Sequence, residues 1–157
     1  MDEVIFAQID ALIVPGEHWV SALSNVSAAI MQLLPRLNWA GFYLRTEEPE
    51  GPALLLGPFQ GLPACVHIPF GKGVCGTAAA QDHTVVVPDV HAFPGHIACD
   101  GASRSEIVVP MHDGSGNVCG VMDIDSPEYD RFTLADRQLL ERCVSVLQER
   151  INLHGVQ

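Results

Sequence analysis

Apolar residues recur at helical spacing in two long stretches of the chain. In residues 17–34 the apolar positions lie three or four residues apart, and Pro35 follows them, which predicts a helix packed on a core. A second helix is predicted from 134 to about 153, where Thr133 is placed to cap its first turn. The apolar stripe of this second helix includes Cys143, which we therefore expect in the core.

Between these helices the pattern changes to the alternation that is typical of strands. Residues 38–45 predict a strand with Trp39, Gly41 and Tyr43 on one face and Ala40, Phe42 and Leu44 on the other. The second set is core. The aromatic residues of the first set are either core or the wall of a small-molecule pocket, and the pattern alone favours core. Further short strands are predicted at 53–60, 66–70, 84–87 and 106–111.

The last predicted strand, residues 118–126, carries two acidic residues on one face. Strict alternation puts Cys119, Val121, Asp123 and Asp125 on that face, and Val118, Gly120, Met122 and Ile124 on the other. Two carboxylates are costly to bury unless they are paired. They face either water or a functional site, and the pattern alone favours water.

A glycine-rich segment precedes a short predicted helix in the middle of the chain. GKGVCG at 71–76 matches GxGxxG, but the complete strand–helix–strand unit of a dinucleotide site is missing. The segment therefore predicts a turn that opens the helix CGTAAAQ. Cys75 would lie near the start of that helix, where the dipole favours a thiolate. A second turn, acidic and solvated, is predicted at 46–52, and residues 3–13 predict a short helix or docking arm.

The longest stretch without a regular pattern runs from 88 to 105. It contains Cys99, His91 and His96 together with apolar residues and few like charges. Irregular segments of this length in a compact domain are usually functional or disordered, and this composition is atypical of disorder. We expect an ordered loop that carries chemistry.

Charge and length exclude several classes of protein. The 157 residues suit one domain, and the formal charge of −11 opposes nucleic acid and anionic membranes as partners. No apolar run reaches the length of a membrane span. The N-terminus lacks the basic flank of a signal peptide, so we expect the mature chain to begin here and to stay in the cytoplasm.

The cysteines suggest redox chemistry more than a disulfide framework. The chain has five, and Cys65, Cys75 and Cys99 all fall in predicted turns or loops. Zinc competes, because His91 and His96 share a loop with Cys99. The usual zinc spacings such as CxxC and HExxH are absent from the sequence. From the residues alone redox chemistry has a modest lead, without a metal or a resident cofactor.

Several long motifs resemble the free methionine-(R)-sulfoxide reductases, which are single GAF-domain enzymes. They are NWAGFYL (38–44), LGPFQG and PAC within 56–65, IPFGKGVCGTAAA (68–80), DVHAFPGHIACD (89–100), SEIVVP (105–110) and GVMDIDSP (120–127). The element pattern alone predicts an α+β domain. The resemblance implies a GAF-like fold over residues 1–157, with a six-stranded antiparallel sheet, helices on both of its sides, and commonly a homodimer.

The resemblance also assigns roles to residues of this chain. Cys99 corresponds to the nucleophile, and Cys65 and Cys75 to two further redox cysteines that can form a disulfide with it. The acidic substrate-binding set corresponds to Glu106, Asp123 and Asp125. The aromatic wall that receives the methyl-sulfoxide end of the substrate corresponds to Trp39 and Tyr43.

The implied reaction gives each of these residue types a task. The Cys99 thiolate attacks the sulfoxide sulfur, Glu106 and Asp125 handle protons, and Asp123 and Asp125 bind the ammonium group of the free amino acid. The resulting sulfenic acid condenses with a second cysteine, and thioredoxin reduces the disulfide. We favour Cys65 as that second cysteine on the resemblance only. The alternative of another class is a GAF domain that senses a small ligand without catalysis.

Overall fold

The computed structural model describes residues 2–96 and 101–156 of the chain. Among them it has helices α1 (Asp2–Leu12), α2 (Trp19–Leu33), α3 (Gly73–Gln81) and α4 (Leu134–Arg150). The strands are β1 (Trp39–Glu48), β2 (Gly51–Gly61), β3 (His67–Pro69), β4 (Val85–Val87), β5 (Ser105–His112) and β6 (Val118–Ser126). The predicted α+β class with six antiparallel strands is confirmed, as the strands form one sheet in the order β3-β2-β1-β6-β5-β4.

The register of the three central strands places distant parts of the sequence opposite one another. Trp39 of β1 pairs with Asp125 of β6, and Gly41 pairs with Asp123. On the other side of β6, Asp125 pairs with Glu106 of β5. Because paired residues in a sheet share a face, two aromatic residues of β1 and three acidic residues of β5 and β6 meet on one face.

The two faces of the sheet carry separate hydrophobic clusters. Ala40, Phe42 and Leu44 pack with residues of α1, α2 and α4, among them Cys143. Trp39 and Tyr43 belong to the other cluster, which is formed largely with α3. The predicted faces of β1 and the core position of Cys143 are thus confirmed, and the helices lie on both sides of the sheet.

Alternation in β6 fails at its beginning, which corrects one sequence prediction. Cys119 packs with the cluster of α2 and α4, and Val118 with the cluster of α3, the reverse of what strict alternation gives. Met111 pairs with Gly120, whereas His112 pairs with Val118. Cys119 is therefore an extra residue in β6, and such a bulge inverts the faces of the residues that precede it.

Two connecting segments differ from their predicted form. The strands β1 and β2 extend into the predicted acidic turn, so that only Pro49 and Glu50 separate them. The segment from 88 to 105 contains a short 3-10 helix, Val90–Ala92, whose first turn is capped by the Asp89 side chain. Of the two alternatives for residues 3–13, the helix is confirmed, as α1. No helix in the described ranges is long and apolar enough to cross a membrane.

Candidate active site

A pocket lies between α3 and the sheet face that carries Trp39. Most of the predicted site residues line it: Trp39, Tyr43, Cys75, Glu106, Asp123 and Asp125. The other lining residues are Ala64, Ile68, Lys72, Gly73, Val74, His96 and Ser103. Elements separated by up to about 85 residues of sequence therefore supply one site, and it has an aromatic side and an acidic side.

The aromatic side is a stack of three rings. The ring centroids of Trp39 and Tyr43 lie 5.9 Å apart with an interplanar angle of 25°, and Phe59 stacks on Trp39 at 5.1 Å. Gly41 lies between the two β1 aromatics in sequence, and a Cβ there would lie 2.3 Å from the Cβ of Phe59. Glycine at this position thus permits the close approach of β2 that completes the stack.

The polar ends of these two aromatic residues hold the segment that carries Cys65. The Trp39 indole N–H donates to the Leu62 carbonyl at 3.0 Å, and the Tyr43 hydroxyl donates to the Cys65 carbonyl at 3.1 Å. Burial raises the pKa of Tyr43, with Asp123 contributing further, so the phenol keeps the proton that it donates. The wall of the pocket and the Cys65 segment are therefore one hydrogen-bonded unit.

The acidic side consists of three buried carboxyl groups. Burial raises the pKa of Glu106, and the neighbouring Asp123 raises it further. Burial and then Asp125 raise the pKa of Asp123 in the same way. Among the described residues, the Oδ1 atom of Asp123 is buried without a hydrogen-bond partner. Asp123 and Asp125 line the pocket and do not face water, and burial in the pocket favours the protonated form of Glu106 and Asp123.

Cys75 lies within this acidic group, and its predicted acidity is wrong. It is the third residue of α3, it is buried, and its Sγ approaches Glu106 Oε2 at 3.8 Å. Burial raises the pKa of Cys75 well above its ordinary value, with further contributions from Asp123 and Glu106. The partial charge of a helix terminus does not outweigh desolvation and two facing carboxyl groups. Cys75 is therefore a protonated thiol.

The remaining cysteines divide into two groups. Cys65 is half-buried and disulfide-bonded, whereas Cys75, Cys119 and Cys143 are free. Burial raises the pKa of Cys119 and of Cys143 to about 12, which makes both inert core residues. Cys99, the predicted nucleophile, lies outside the described residues.

Three polar residues of the pocket had no place in the site predicted from sequence. The sequence predicts His96 only as a possible zinc ligand and predicts no role for Lys72 or Ser103. Burial lowers the pKa of His96, and His91 lowers it further, so its imidazole is neutral at physiological pH. The Ser103 hydroxyl accepts a hydrogen bond from the Asn38 amide at 3.0 Å. The GKG motif and the irregular 88–105 segment were the only sequence signals for these residues.

A metal ion has one possible set of ligands among the described residues. Donor atoms of Cys75, Glu106 and Asp123 lie within 4.8 Å of one another. All three groups have raised pKa values, and a thiol and carboxyls must lose their protons to bind a metal. His91, a ligand in the zinc alternative, instead pairs with Asp89 at 3.2 Å. These three groups are therefore poor ligands for a metal ion as long as they keep their protons.

Known proteins similar to this chain agree with the fold. The GAF domain family matches residues 20–150. The free methionine-R-sulfoxide reductase of Saccharomyces cerevisiae is 48% identical over 84% of this chain and 75% of its own length. That of Escherichia coli is 46% identical over 89% of this chain and 82% of its own length. A structure of the Neisseria meningitidis enzyme in complex with its substrate superposes with a TM-score of 0.87 at 41% identity, covering 95% of this chain and 87% of that one.

Proposed function

The chain belongs to the free methionine-R-sulfoxide reductases of the GAF domain family, and we propose that it reduces free L-methionine-(R)-sulfoxide to L-methionine with its own cysteines. The observation that carries the proposal is the pocket itself, in which stacked aromatic rings face buried carboxyl groups with raised pKa values beside the free thiol of Cys75. Aromatic rings suit a methyl sulfoxide, and protonated carboxyls suit the departure of its oxygen.

The first step transfers the sulfoxide oxygen to Cys99. The Cys99 thiolate attacks the sulfoxide sulfur, and a proton from the acidic group reaches the oxygen. Methionine leaves, and Cys99 becomes a sulfenic acid. Glu106 is the proton donor, because burial raises its pKa and so favours the protonated form that a general acid needs. Asp125, its partner across the β5–β6 register, completes the acid group that supplies the proton.

The second part of the proposal concerns how a free amino acid is held. Asp123 has a buried carboxyl oxygen without a hydrogen-bond partner in the described part of the chain, and a substrate ammonium supplies the missing donor. Binding of that positive charge also favours the ionised form of Asp123. The methyl-sulfoxide end then lies against Trp39 and Tyr43 at the aromatic side. A residue within a peptide has no ammonium group to offer.

The third part concerns which cysteine resolves the sulfenic acid. Cys65 attacks the sulfur of the Cys99 sulfenic acid, a disulfide forms and water leaves. The assignment is supported by the disulfide-bonded state of Cys65 and by the hydrogen bond that fixes its carbonyl. Cys75 is a free thiol with a raised pKa, which suits it poorly for a fast attack. Its proposed role is as a reserve partner of Cys99.

Reduction of the disulfide by thioredoxin completes the cycle. Two electrons enter from an external dithiol, so the cycle needs no metal or resident cofactor. A cytoplasmic location and a homodimer remain predictions of the sequence. Size-exclusion chromatography with light scattering would measure the oligomeric state directly.

The experiment for the proposed function is single-turnover formation of methionine without thioredoxin. Pre-reduced wild-type protein is expected to form methionine from free methionine-(R)-sulfoxide, with a yield of no more than about one methionine per protein molecule. Cys99→Ser is expected to form none, while Cys143→Ser, which changes a core cysteine, serves as the control. A normal single-turnover yield in Cys99→Ser would remove Cys99 from the role of nucleophile.

A further inference from the structure

The segment between β2 and β3 exposes apolar side chains next to a redox cysteine. This segment, Leu62 to Val66, is called the 62–66 loop below. Leu62 is 61% exposed and Val66 is 51% exposed, and both belong to the few large hydrophobic side chains that the described surface presents. The loop contains no charged residue, although the chain as a whole carries a formal charge of −11. It forms an uncharged apolar spot on an acidic protein.

The backbone of the 62–66 loop is fixed from the inside of the molecule. Three of its carbonyl oxygens accept hydrogen bonds from residues of β1 and β2. The donors are the indole N–H of Trp39 to Leu62 at 3.0 Å, the hydroxyl of Tyr43 to Cys65 at 3.1 Å, and the amide of Leu56 to Val66 at 2.9 Å. Because these polar groups are satisfied inward, the loop presents its apolar side chains outward on a fixed backbone.

The exposed apolar side chains of the 62–66 loop flank a disulfide-bonded cysteine. Cys65 lies in the loop between Leu62 and Val66, it is half-buried, and it is disulfide-bonded. A disulfide that turns over must be reached by an external thiol. The exposed apolar side chains on both sides of Cys65 gain nothing from contact with a small charged thiol, but they are stabilised when a protein surface covers them.

We propose that the 62–66 loop is the docking surface for a dithiol protein of the thioredoxin type, which buries Leu62 and Val66 and attacks the Sγ atom of Cys65. This inference rests on the proposed function, since it needs the disulfide of Cys65 to form in each turnover. The edge strand β3, which directly follows the loop, extends the contact area beyond it. The partner is recognised by an uncharged apolar surface around its own reactive thiol.

The exchange is balanced without any further reactant. The thiolate of the partner attacks Sγ of Cys65, the protein disulfide breaks, and the other cysteine of this chain leaves as a thiolate that takes up a proton. The second thiol of the partner then attacks the mixed disulfide. Cys65 leaves as a thiolate, and the partner departs with its own disulfide. Two electrons have passed from the partner to this chain.

The test compares two reductants on one pair of matched variants. The docking variant is Leu62→Glu with Val66→Glu. The control variant is Leu134→Glu with Val4→Glu, which changes the same residue types at positions that are 69% and 63% exposed on α4 and α1. Turnover of free methionine-(R)-sulfoxide is measured with thioredoxin, thioredoxin reductase and NADPH, and separately with dithiothreitol. Dithiothreitol reaches the same disulfide and does not need a docking surface.

The docking variant is expected to raise the KM for thioredoxin by about tenfold or more, the scale of apolar anchors at protein interfaces, with dithiothreitol-driven turnover within about twofold of wild type. The control variant is expected to match wild type with both reductants. An unchanged KM for thioredoxin in the docking variant would overturn the proposal. Equal losses with both reductants would also overturn it, because they would show damage to the loop itself.

A second measurement identifies the sulfur that is attacked. Thioredoxin whose second active-site cysteine is replaced by serine cannot complete the exchange and remains as a mixed disulfide. Peptide mapping is expected to find it on Cys65, and a mixed disulfide on any other cysteine contradicts the proposal. If wild-type protein failed to reduce the sulfoxide with either reductant, the proposed function would be refuted. If it turned over with dithiothreitol but not with thioredoxin, only the docking of thioredoxin would be refuted.

Discussion

Asp123 shows at the scale of one residue what the acidic pocket costs the fold. Its Oδ1 atom is buried without a hydrogen-bond partner among the described residues, and burial raises its pKa well above the ordinary value. An unsatisfied buried polar group costs about 1 to 3 kcal/mol of stability. Such a group is retained where a ligand satisfies it, which is the role that we propose for the substrate ammonium.

The raised pKa of Asp123 predicts a pH-dependent stability. Between the ordinary carboxyl pKa near 4 and the raised value, the folded state keeps a proton that the unfolded state has lost. The free energy of unfolding of the wild type therefore falls as pH rises through that window, by up to about 1.4 kcal/mol per pH unit. Asp123→Asn lacks this titration. Its stability relative to wild type is expected to increase from pH 4 upward, as measured by urea unfolding.

The direction of that trend is the test. If the stability of Asp123→Asn relative to wild type decreased as pH rose from 4, the carboxyl of Asp123 would be stabilised in its charged form. The account of a protonated acid group would then be wrong. Glu50→Gln, in the turn between β1 and β2, provides a comparison at an exposed carboxyl position.

Glu106 is expected to control the chemical step, because it lines the pocket and burial raises the pKa of its carboxyl group. Glu106→Gln should lower kcat by roughly 100-fold or more, the scale of a positioned acid. In the wild type, kcat should fall as pH rises through the raised pKa of Glu106, since the proton donor is lost there. The variant should lose this alkaline limb. Steady-state kinetics across the pH range measure both effects.

Asp125→Asn is expected to lower kcat as Glu106→Gln does. Asp123→Asn is expected mainly to raise KM, because it binds the substrate ammonium more weakly. Near-wild-type kinetics in all three variants would contradict any part for the acidic residues in the reaction.

The local sequence could not predict the acidity of Cys75. The pattern correctly gave a helix after the glycine-rich turn, and a helix start normally favours a thiolate. What determines the pKa is the burial of Cys75 opposite Glu106 and Asp123, residues that are 31 and 48 positions away. Pairings of that range depend on the whole sheet and carry no local signal.

At the scale of elements, the 62–66 loop and β1 act together. The aromatic residues of β1 form the pocket wall and hold the carbonyl groups of the loop, so Cys65, the cysteine to which we assign the resolving step, is fixed relative to the pocket. Cys65→Ser should still form methionine in a single turnover, but the Cys99 sulfenic acid should persist. Dimedone labelling followed by mass spectrometry measures it. A Cys75–Cys99 disulfide formed at the wild-type rate in this variant would reverse the order of the two cysteines.

The contact between α3 and β3 sets the position of Cys75. A Cβ at Gly76 would lie 2.4 Å from the backbone oxygen of Pro69, so the helix approaches the edge strand at this point. Gly76→Ala should therefore push α3 away and cost about 1 to 3 kcal/mol of stability, with a loss of turnover. Thermal unfolding measures the first effect. Gly114→Ala, where nothing lies within 4 Å of the added Cβ, is the control, and equal melting temperatures in both variants would contradict the close contact.

Element types were predictable from sequence where the hydrophobic period was clear. The faces of β1 followed from strict alternation, and α2 and α4 followed from apolar positions three or four residues apart. The alternation of β6 failed at Cys119, because a bulge depends on the register with β5 and not on the residues of β6 alone. The bounds of the acidic turn predicted at 46–52 also depend on pairing between strands. The turn is shorter than predicted, because β1 and β2 remain paired as far as Glu48 and Gly51.

At the scale of the whole molecule, the two faces of the sheet have different tasks. Helices α1, α2 and α4 cover one face with a continuous hydrophobic cluster. On the other face, the described helix is the short α3, and the pocket lies beside it. The resemblance of the motifs supplied the set of pocket residues, whereas the residues alone favoured core for Trp39 and water for Asp123. The contributions of Lys72, Ser103 and His96 became visible only in the folded chain.

The most direct test of the central claim compares free methionine-(R)-sulfoxide with its N-acetyl derivative under the same reductant. If the acidic side of the pocket binds the ammonium, acetylation removes a charge-assisted hydrogen bond at a cost of about 1 to 3 kcal/mol. We predict that kcat/KM for the N-acetyl compound is lower by roughly 5- to 150-fold or more. Equal kcat/KM values for the two compounds would contradict the account of this pocket as a site for the free amino acid.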